Sequence, residues 1–489
     1  MFFENDATRI RREVLVRIAR AFLDGNLTGD IDRIPLEMRP RDAAAASRCC
    51  IYKDRAVIRY RCMAALGVGF EEETDELTPL SEFAKKALDR GKLEGPVLSI
   101  LEIACHGCVK THYAVTNACQ GCLARPCAVN CPRKAISIVD GRSQIDPNRC
   151  VNCGKCQKVC PFNAIIKVPI PCEEACPVGA ISKNGQMRSS IDFSRCISCG
   201  KCLRACPFGA ILERSEMLDV LKALRGPRPA TAIIAPAIVG QFPGTLEQIM
   251  AGLKRLGFSD VVEVAHGADQ TARAEAEEFS HRMRQGAKFM TSSCCPAYVD
   301  AARKHLPELL PHVSSTPTPM HLTAADVKRR NPDVFVTFVG PCVAKRVEGR
   351  NDPLVDAVLT FEELGAMLIA GRIDVATFPD GAPENPASPE GRGFAVQGGV
   401  TKAVQAFSAA GELVRPVSIN GLSRVSLLQL KAFLKACPGN FIEVMACEGG
   451  CVAGAGVVGQ AQVTAQKIKL LTETGTQKPP IDEKTFLHP

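Results

Sequence analysis

Cysteines at regular spacings are the residues of this chain whose chemistry is easiest to infer. Twenty-five of its 489 residues are cysteine, and the runs CVNCGKCQKVCP (150–161) and CISCGKCLRACP (196–207) share the spacing C-x2-C-x2-C-x3-C-P. In that spacing three thiolates hold one [4Fe–4S] cluster and the fourth holds a neighbouring cluster. A third run, CQGCLARPCAVNCP (119–132), is the same pattern with two inserted residues. The runs therefore predict clusters that transfer electrons one at a time.

Pairing the runs along the chain assigns their cysteines to clusters. The runs at 119–132 and 150–161 predict one set of Cys119, Cys122, Cys127 and Cys160, and a second of Cys131, Cys150, Cys153 and Cys156. The run at 196–207 needs a partner, and CEEACP (172–177) with the displaced CHGC (105–108) supplies one. It predicts a third set of Cys176, Cys196, Cys199 and Cys202, and a fourth of Cys105, Cys108, Cys172 and Cys206.

These assignments place one ferredoxin-like unit inside another, with four [4Fe–4S] clusters in all. Zinc is the alternative for cysteine pairs, but the repeated Cys-Pro ending and the spacing favour iron–sulfur. His106 lies inside CHGC. We expect it to be a surface residue or a neighbour of the cluster, because four cysteines already complete the ligand set.

Three more cysteine stretches each follow an apolar run typical of a strand. They are AKFMTSSCCPAYV (287–299), DVFVTFVGPCVAKRVE (333–348) and NFIEVMACEGGCVAGAG (440–456), and ATAIIAPAI (230–238) is a similar run without cysteine. Loops at the carboxyl ends of parallel strands meet at one crevice, where ligands bind. We therefore expect four distant thiolates to reach one centre: Cys295, Cys342, Cys447 and Cys451.

The elements that must position these cysteines divide the chain into three parts. Residues 1–95 predict a helical N-terminal segment, and residues 96–215 predict nested α+β ferredoxin-like domains, with 111–167 inserted between 96–110 and 168–215. After RGPRP (225–229), short apolar runs alternate with helical patterns, which predicts an α/β domain over 226–489.

Composition restricts where the protein works and what it binds. The first 25 residues predict an amphipathic helix with Ile10, Val14, Ile18 and Phe22 on one face, without the apolar block of a secretory signal. No apolar run has the length of a membrane span. These features predict a cytoplasmic protein that does not bind membranes. The net charge of +8 favours an acidic protein partner, and the absence of a dense basic block argues against nucleic acid.

The C-terminal stretches resemble the three signature motifs of the [FeFe]-hydrogenases, in the same order, over about residues 230–460. T-S-C-C-P corresponds to 292–296, where an extra serine displaces Thr291, P-C-x-x-K-x-x-E to 341–348, and E-x-M-A-C-x-G-G-C to 443–451. The resemblance implies the family's two-lobed α/β H-cluster domain. It also implies an H-cluster, in which a [4Fe–4S] cubane joins, through Cys451, a diiron subcluster with CO, cyanide and azadithiolate ligands.

The same resemblance implies roles for further residues. Lys345 would anchor a cyanide, although an ordinary surface lysine is the alternative, and Met445 would cover the diiron unit. Ala235, Pro236 and Ala237 would form an apolar wall against the other cyanide. For protons, the resemblance implies a relay through these residues: Cys294, Glu275, Glu278 and Thr316. Glutamates that are simply solvated on a charged helix are the alternative.

The resemblance predicts a ferredoxin-type [FeFe]-hydrogenase that interconverts protons, electrons and H2. Its partners would be a soluble low-potential carrier, ferredoxin or flavodoxin, and H-cluster maturation proteins. The chain departs from the family pattern at Tyr298, Gly340 and Ala344, and in GAGVVG (454–459). These departures leave two alternatives open. One is an H2-sensing or low-activity H-cluster protein, and the other is a non-catalytic iron–sulfur protein related to cluster-assembly factors.

Two remaining features are given structural interpretations. GAGVVG has the form of the dinucleotide motif G-x-G-x-x-G, but no βαβ unit with a later acidic residue follows it, so we expect its glycines to serve close packing. Four cysteines belong to no predicted site: Cys49, Cys50, Cys62 and Cys437. We expect them to be buried structural thiols, with a regulatory or docking role for the first two as the alternative.

Overall fold

The computed structural model describes residues 5–42, 47–381, 387–408 and 413–474, so the outer ends of the predicted first and last domains, 1–4 and 475–489, lie outside the described residues. The N-terminal segment is helical: α1 (Asp6–Leu23), α2 (Leu27–Asp30), α3 (Ile34–Met38), α4 (Ile51–Ala65) and α5 (Leu80–Asp89). The Asn5 side chain caps α1 by accepting the backbone N–H of Thr8 at 3.0 Å. Val14 and Ile18 of the predicted apolar face are fully buried.

The unassigned cysteines differ from the prediction. Cys62 on α4 is buried, as expected, but Cys49 and Cys50 are exposed, so the prediction of buried thiols is wrong for that pair. Cys50 is the residue that precedes the first turn of α4, and a chain entering a helix from a surface loop leaves both side chains near solvent.

Short antiparallel strand pairs organise the iron–sulfur region. The strands are β1 (Leu98–Ile100), β2 (His112–Val115), β3 (Ile136–Val139), β4 (Arg142–Ile145), β5 (Ile165–Val168), β6 (Ile181–Lys183), β7 (Ser189–Ile191) and β8 (Ile211–Glu213). The helices are α6 (Pro126–Val129), α7 (Lys155–Lys158), α8 (Pro171–Ala175), α9 (Lys201–Ala205) and α10 (Met217–Arg225). β2 pairs with β5, and the hairpin β3–β4 lies between them along the chain. β1 pairs with β8, and all the other strands of this region lie between those two along the chain. β6 and β7 form a second hairpin.

A four-stranded parallel sheet forms one half of the C-terminal region. Its strand order is β10 (Asp260–Glu263), β9 (Ala230–Ile234), β12 (Phe335–Gly340) and β13 (Ala357–Thr360). Ile233 of β9 lies opposite Val262 on one side and Phe338 on the other. Every residue of β9 and β13 is buried, because helices cover both faces of the sheet.

A second parallel sheet forms the other half. Its order is β11 (Met290–Thr291), β15 (Phe441–Met445) and β14 (Pro416–Asn420), with Ile442 opposite both Thr291 and Val417. The helices of the two halves are α11 (Leu246–Leu256), α12 (Ala265–Arg284), α13 (Pro296–His305), α14 (Pro319–Arg330), α15 (Ala344–Asn351), α16 (Phe361–Ala370), α17 (Pro389–Gly393), α18 (Gly399–Phe407), α19 (Arg424–Phe433) and α20 (Ala461–Thr474).

The predicted fold class is confirmed: helices come first, small antiparallel pairs follow, and an α/β region with two separate parallel sheets comes last. One hydrophobic core joins α1, α4 and α5 to the four-stranded sheet and its helices. A second core lies between the outer iron–sulfur loops and the three-stranded sheet. No helix within the described ranges is both long and apolar enough to cross a membrane.

Candidate active site

A cavity of about 90 Å³ lies between the two parallel sheets, at the carboxyl ends of their strands. The loop after β9 contributes Ala235, Pro236 and Ala237, and the loop after β11 contributes Cys294 and Cys295. The ends of β12 and β15 and the residues that follow them supply most of the other polar and sulfur-bearing residues that line it: Cys342, Lys345, Met445, Cys447 and Cys451. The fold therefore collects in one place the residues that the three cysteine stretches predicted.

The four candidate ligand thiols of this cavity are enclosed by protein. Burial, followed by the charges of neighbouring cysteines, raises the pKa of Cys342 and of Cys451 to about 12. Burial likewise raises the pKa of Cys295 and of Cys447. Four soft sulfur donors without a histidine are a ligand set for iron–sulfur or zinc, and iron ions hold such sulfurs as thiolates. The donor chemistry of the cavity thus fits a cubane.

Cys294 and Cys295 pack in different surroundings. Cys295 and Cys342 pack against the core that contains Ala446 and Val444, whereas Cys294 packs against the core that contains Met445 and Phe394. The two adjacent side chains consequently diverge inside one cavity.

Lys345 reaches the cavity as half of an ion pair. Its Nζ lies 2.7 Å from Oε2 of Glu348 and 3.3 Å from Oγ1 of Thr318. Burial acts to lower the pKa of Lys345, but the Glu348 carboxylate outweighs burial and raises it. The cavity therefore has a fixed ammonium on one wall.

Glu275 lies behind Cys294 and is fully buried. Its Oε1 accepts the backbone N–H of Ser293 at 3.0 Å, and the Ser293 hydroxyl donates to the carbonyl oxygen of Thr316 at 2.8 Å. Oε2 of Glu275 has no hydrogen-bond partner among the described residues. Burial raises the pKa of Glu275 to about 7. Burial also raises the pKa of Cys294, and the charge of Glu275 adds to that effect.

Glu278 lies one turn further along α12, nearer the surface. Partial burial acts to raise its pKa, but hydrogen bonds from the Ser315 N–H and three hydroxyls lower it to about 2. Oε2 of Glu278 accepts the hydroxyls of Ser314 at 2.8 Å and of the predicted Thr316 at 2.9 Å, and Oε1 lies 2.5 Å from Arg282. The Ser314 hydroxyl also accepts the backbone N–H of Thr316 at 3.1 Å, so Ser314 and Thr316 are both fixed beside Glu278.

Four polar residues that contact the two glutamates were not among the predicted site residues: Ser293, Ser314, Ser315 and Arg282. Arg282 could have been found, because it follows Glu278 by four residues on a helix and such pairs attract. The extra serine of the TSSCC stretch stands out in the sequence, but its bond to Glu275 depends on how β11 meets α12. Nothing in the sequence singles out Ser314.

The two inner cysteine sets each line a separate cavity. One cavity contains Cys119, Cys122, Cys127 and Cys160, and the other contains Cys131, Cys150, Cys153 and Cys156. In residues 96–215, the four cysteines that precede proline share one local geometry, because each accepts the backbone N–H of the alanine four residues later. These bonds run to Cys131 from Ala135, to Cys160 from Ala164, to Cys176 from Ala180 and to Cys206 from Ala210, at 3.2 to 3.5 Å. Hydrogen bonds of this kind tune the reduction potential of a cluster.

The structure brings members of each outer cysteine set close to one another. Burial raises the pKa of Cys202, and the charges of Cys199, Cys196 and Cys176, together with that of Cys172 from the fourth set, add to that effect. In the fourth set, Ser189 donates its N–H to Cys105 at 3.5 Å and its hydroxyl lies 3.6 Å from Cys172. The charge of Cys206 raises the pKa of Cys172 after burial. Cys108 packs against the same core as Cys172.

The cavity between the two parallel sheets is called the active cavity. The outer iron–sulfur loops touch it directly, since Cys199 lines it. Gly200 has φ +74°, and a Cβ there would lie 2.6 Å from Cβ of Ala455. His106, in the fourth set, is exposed and stacks on Phe208 with ring centroids 4.5 Å apart.

The departures from the hydrogenase motifs have local explanations. A Cβ at Gly340 would lie 2.4 Å from the ring of Phe338, so the aromatic side chain fills the space beside this glycine. Tyr298 is fully buried and its hydroxyl lies 2.7 Å from Oγ1 of Thr291. In the GAGVVG stretch, a Cβ at Gly454 would lie 2.4 Å from the carbonyl oxygen of Pro341 and one at Gly456 would lie 2.6 Å from Thr360. Those glycines allow close packing.

Comparison with known proteins gives the family. The family model for the C-terminal domain of the iron-only hydrogenase large subunit matches residues 228–455, and the family model for the 4Fe-4S binding domain matches 143–166 and 190–212. Iron hydrogenase 1 of Clostridium pasteurianum is 30% identical over 393 residues, which cover 66% of this chain and 67% of that protein. The periplasmic [Fe] hydrogenase large subunit of Nitratidesulfovibrio vulgaris is 30% identical over 64% of this chain and 85% of its own length.

A cytosolic Fe-S cluster assembly factor of Eremothecium gossypii is a more distant relative, 24% identical over 47% of this chain and 65% of its own length. The matches to these two hydrogenases cover more of the chain at higher identity, and the iron-only hydrogenase family model spans the C-terminal loops that form the cavity. The chain therefore belongs to the iron-only hydrogenase family and combines that family's C-terminal domain with 4Fe–4S binding segments.

Proposed function

We propose that the chain is an [FeFe]-hydrogenase that catalyses the reversible reaction 2H⁺ + 2e⁻ ⇌ H2. The observation that supports this most strongly is the single cavity between the sheets, which combines four candidate ligand thiols with Cys294, Lys345 and Met445. A pure cubane protein needs the four thiols alone. The additional ammonium, free thiol and thioether are what a second, more complex metal unit beside the cubane requires.

In this proposal Cys295, Cys342, Cys447 and Cys451 hold the cubane of the H-cluster, and Cys451 joins it to the diiron unit. When bound, the H-cluster supplies the redox chemistry that combines protons with electrons. The protein residues around it bind and enclose it. Lys345 would donate to a cyanide, Ala235, Pro236 and Ala237 would form the apolar wall, and Met445 would cover the diiron unit.

The proton relay is proposed to run from Cys294 to Glu275 and then to Glu278. A pKa near 7 for Glu275 allows it both to accept and to release a proton at neutral pH, while Glu278 remains a carboxylate beside Arg282. Ser293, Ser314 and Thr316 hold the two carboxyl groups in position. Cys294→Ala should keep the infrared bands of the H-cluster and lose at least tenfold in H2 evolution. Unchanged turnover would exclude the thiol from the relay.

Electrons are proposed to travel through four [4Fe–4S] clusters held by the four cysteine sets described above. The set of Cys176, Cys196, Cys199 and Cys202 lies nearest the active cavity, since Cys199 lines it. The strand pairs that enclose one another support a ferredoxin-like unit (111–167) inserted within another (96–110 and 168–215), with 1–95 and 226–489 as the remaining domains. Four clusters and the H-cluster cubane predict about twenty iron atoms before the diiron unit is inserted. A count of about sixteen would remove one cluster from the proposal.

The proposed electron partner is a soluble low-potential carrier such as ferredoxin or flavodoxin, in the cytoplasm. The inserted unit exposes apolar side chains beside its cysteines, among them Leu123 at 95% and Val129 at 79% of full exposure. Arg125 and Lys155 are exposed nearby. An apolar patch with a cationic rim suits an acidic carrier. H-cluster maturation proteins are the second partner class, and membranes and nucleic acids are excluded from the proposal.

H2 sensing, or slow turnover, is the second candidate function. The ring of Phe338 beside Gly340 changes the lining of the active cavity, and such a change affects how the diiron unit reacts. A non-catalytic relative of the cluster-assembly factors is a third possibility that Cys294 and Lys345 disfavour, because such a protein does not need either residue in a cubane site.

Infrared spectroscopy tests the proposal directly. After maturation with the diiron precursor, the protein should show CO and CN stretching bands, and a matched Cys451→Ser sample should lose them. Absence of the bands in the native sequence would overturn the H-cluster proposal. If the bands are present, H2 evolution from a reduced dye separates an enzyme from a sensor.

A further inference from the structure

A cavity of about 440 Å³ lies where the N-terminal helices, the outer iron–sulfur loops and the C-terminal region meet. Its walls come from the first turns of α1, from α4, from α9 with the residues that follow it, and from Ala455. It shares no lining residue with the active cavity. Small-molecule sites have volumes of roughly 300–1,000 Å³ and occur often at the junctions of domains. The position and the size are therefore those of a ligand site.

The charged side chains that line this junction cavity are all cationic. Four cationic side chains line it, and none of the described residues in its lining has a carboxylate; the cations are Arg11, Arg61, Lys201 and Arg204. They come from three separate parts of the chain. Like charges brought together in this way repel one another unless an anion lies between them.

Backbone carbonyl groups fix three of these cations in position. Nη2 of Arg61 donates to the carbonyl oxygen of Gly209 at 3.2 Å, Nη1 of Arg204 donates to that of Gly454 at 2.8 Å, and the Lys201 ammonium donates to that of Leu422. A carbonyl oxygen orients a cation but leaves its net charge unchanged. Arg11 shares the single carboxylate of Glu362 with Arg12.

Arg61 is the most confined of the four. It is 4% exposed, and its Nε has no hydrogen-bond partner among the described residues. Burial, followed by repulsion from Arg48 and Arg11, lowers its pKa to about 10, so it remains a cation at neutral pH. Asp54 and Cys206 act in the opposite direction but do not outweigh burial and the two arginines, so a buried guanidinium with an unused donor remains that a further anion would stabilise.

We propose that the junction cavity binds the polyphosphate group of a small molecule, such as pyrophosphate or a nucleoside polyphosphate. The planar donor forks of arginines match phosphate oxygens in pairs, and lysine adds a point charge. A polyphosphate has enough negative charge to offset several cations together, whereas one carboxylate does not. Because Cys206 also lines the cavity, the bound anion would lower the reduction potential of the cluster that Cys206 is proposed to hold. The effect on the reduction potential rests on the proposed function, whereas the proposed binding of a polyphosphate does not.

Isothermal titration calorimetry with pyrophosphate tests the site. The full chain with its iron–sulfur clusters, and without the diiron unit, should bind one pyrophosphate per molecule. Lys201→Gln and Arg61→Gln should each weaken binding at least tenfold, because each removes one charge-assisted contact. Lys431→Gln is the matched control, since Lys431 lies elsewhere and its side chain is 61% exposed. If Arg61→Gln does not fold, the pyrophosphate binding of Lys201→Gln by itself tests the site.

The outcomes distinguish a nucleotide from a free polyphosphate, and a phosphate site from a general anion site. Tighter binding of ATP than of pyrophosphate identifies a nucleotide as the source, and equal binding identifies the polyphosphate group itself. Absence of saturable binding by either probe overturns the proposal, as does an equal loss in Lys431→Gln. Citrate that binds as tightly as pyrophosphate overturns the assignment to phosphate. A more negative midpoint potential for one cluster when pyrophosphate is added, measured by electron paramagnetic resonance, supports the second effect even in protein that has no H-cluster.

Discussion

Two glutamates on one helix face show how local environment determines chemistry at the residue scale. Glu275 and Glu278 are three residues apart on α12, yet the first has a pKa raised to about 7 and the second a pKa lowered to about 2. Burial dominates for Glu275, whereas four hydrogen bonds outweigh partial burial for Glu278. Acid–base sites often contain pairs of carboxyl groups whose pKa values are separated in this way.

The raised pKa of Glu275 predicts a titration near neutral pH. Because the native pKa lies above the unfolded value of 4.5, the group stabilises the fold fully below about pH 4.5 and loses that contribution as pH rises through about 7. The loss is at most roughly 3 kcal/mol. Infrared difference spectra should show a protonated-carboxyl band that disappears above about pH 7.

Glu275→Gln should abolish that band, and the thermal unfolding midpoint of the variant should fall less than that of the native protein between pH 5 and pH 8. Glu278→Gln is the control, because its carboxylate is ionised throughout that range and the band should persist. A band that still titrates near pH 7 in Glu275→Gln would assign the raised pKa to another group.

At the scale of elements, the approach between the Cys199 loop and the C-terminal loops is the closest structural link between the proposed electron path and the active cavity. Gly200 adopts φ +74°, a conformation that favours glycine, and its Cα faces Ala455 and Val343. A side chain at this position would meet both the strained backbone conformation and a contact of 2.6 Å.

Gly200→Ala should therefore separate the two loops. We expect a loss of roughly 1–3 kcal/mol in stability and slower electron delivery to the active site. The thermal unfolding midpoint and the rate of H2 evolution with a protein carrier would measure the two effects. Gly185→Ala is the matched control in the same outer unit, because nothing lies within 4 Å of its Cβ position and its φ is not positive. Equal unfolding midpoints and equal rates of H2 evolution in the two variants would show that the close packing at Gly200 limits neither stability nor electron delivery.

At the scale of the whole molecule, the N-terminal helices are part of the catalytic region's core. Arg11 and Arg12 of α1 both bind Glu362 at the start of α16, at 2.6 and 3.1 Å. The next residue, Glu363, binds the buried Arg346 and accepts the hydroxyl of Ser215, which lies just after β8. These contacts connect the first helix, the end of the iron–sulfur region and both sides of the four-stranded sheet.

Removal of the shared carboxylate should loosen this connection. Glu362→Gln leaves two partly buried arginines without their anion, and we expect a loss of roughly 3–5 kcal/mol. Limited proteolysis should then cleave near α1 faster than in the native protein, and the thermal unfolding midpoint should fall. Glu308→Gln removes one half of an exposed pair with Lys431 and should change stability by less than about 1 kcal/mol. Similar proteolysis of the two variants would show that Glu362 does not hold α1 in place.

The sequence by itself determined the features that depend on short spacing. The spacing within each cysteine run predicted the two inner sets, and each set lines one cavity. Apolar runs before the C-terminal motifs predicted that their loops meet, because parallel strands end at one edge. The packing of separate elements brought in the other partners: Ser314 beside Glu278, Ser293 beside Glu275, and Arg61 among three other cations. Such contacts join residues that are distant along the chain or on separate elements, and only the packing of those elements brings them together.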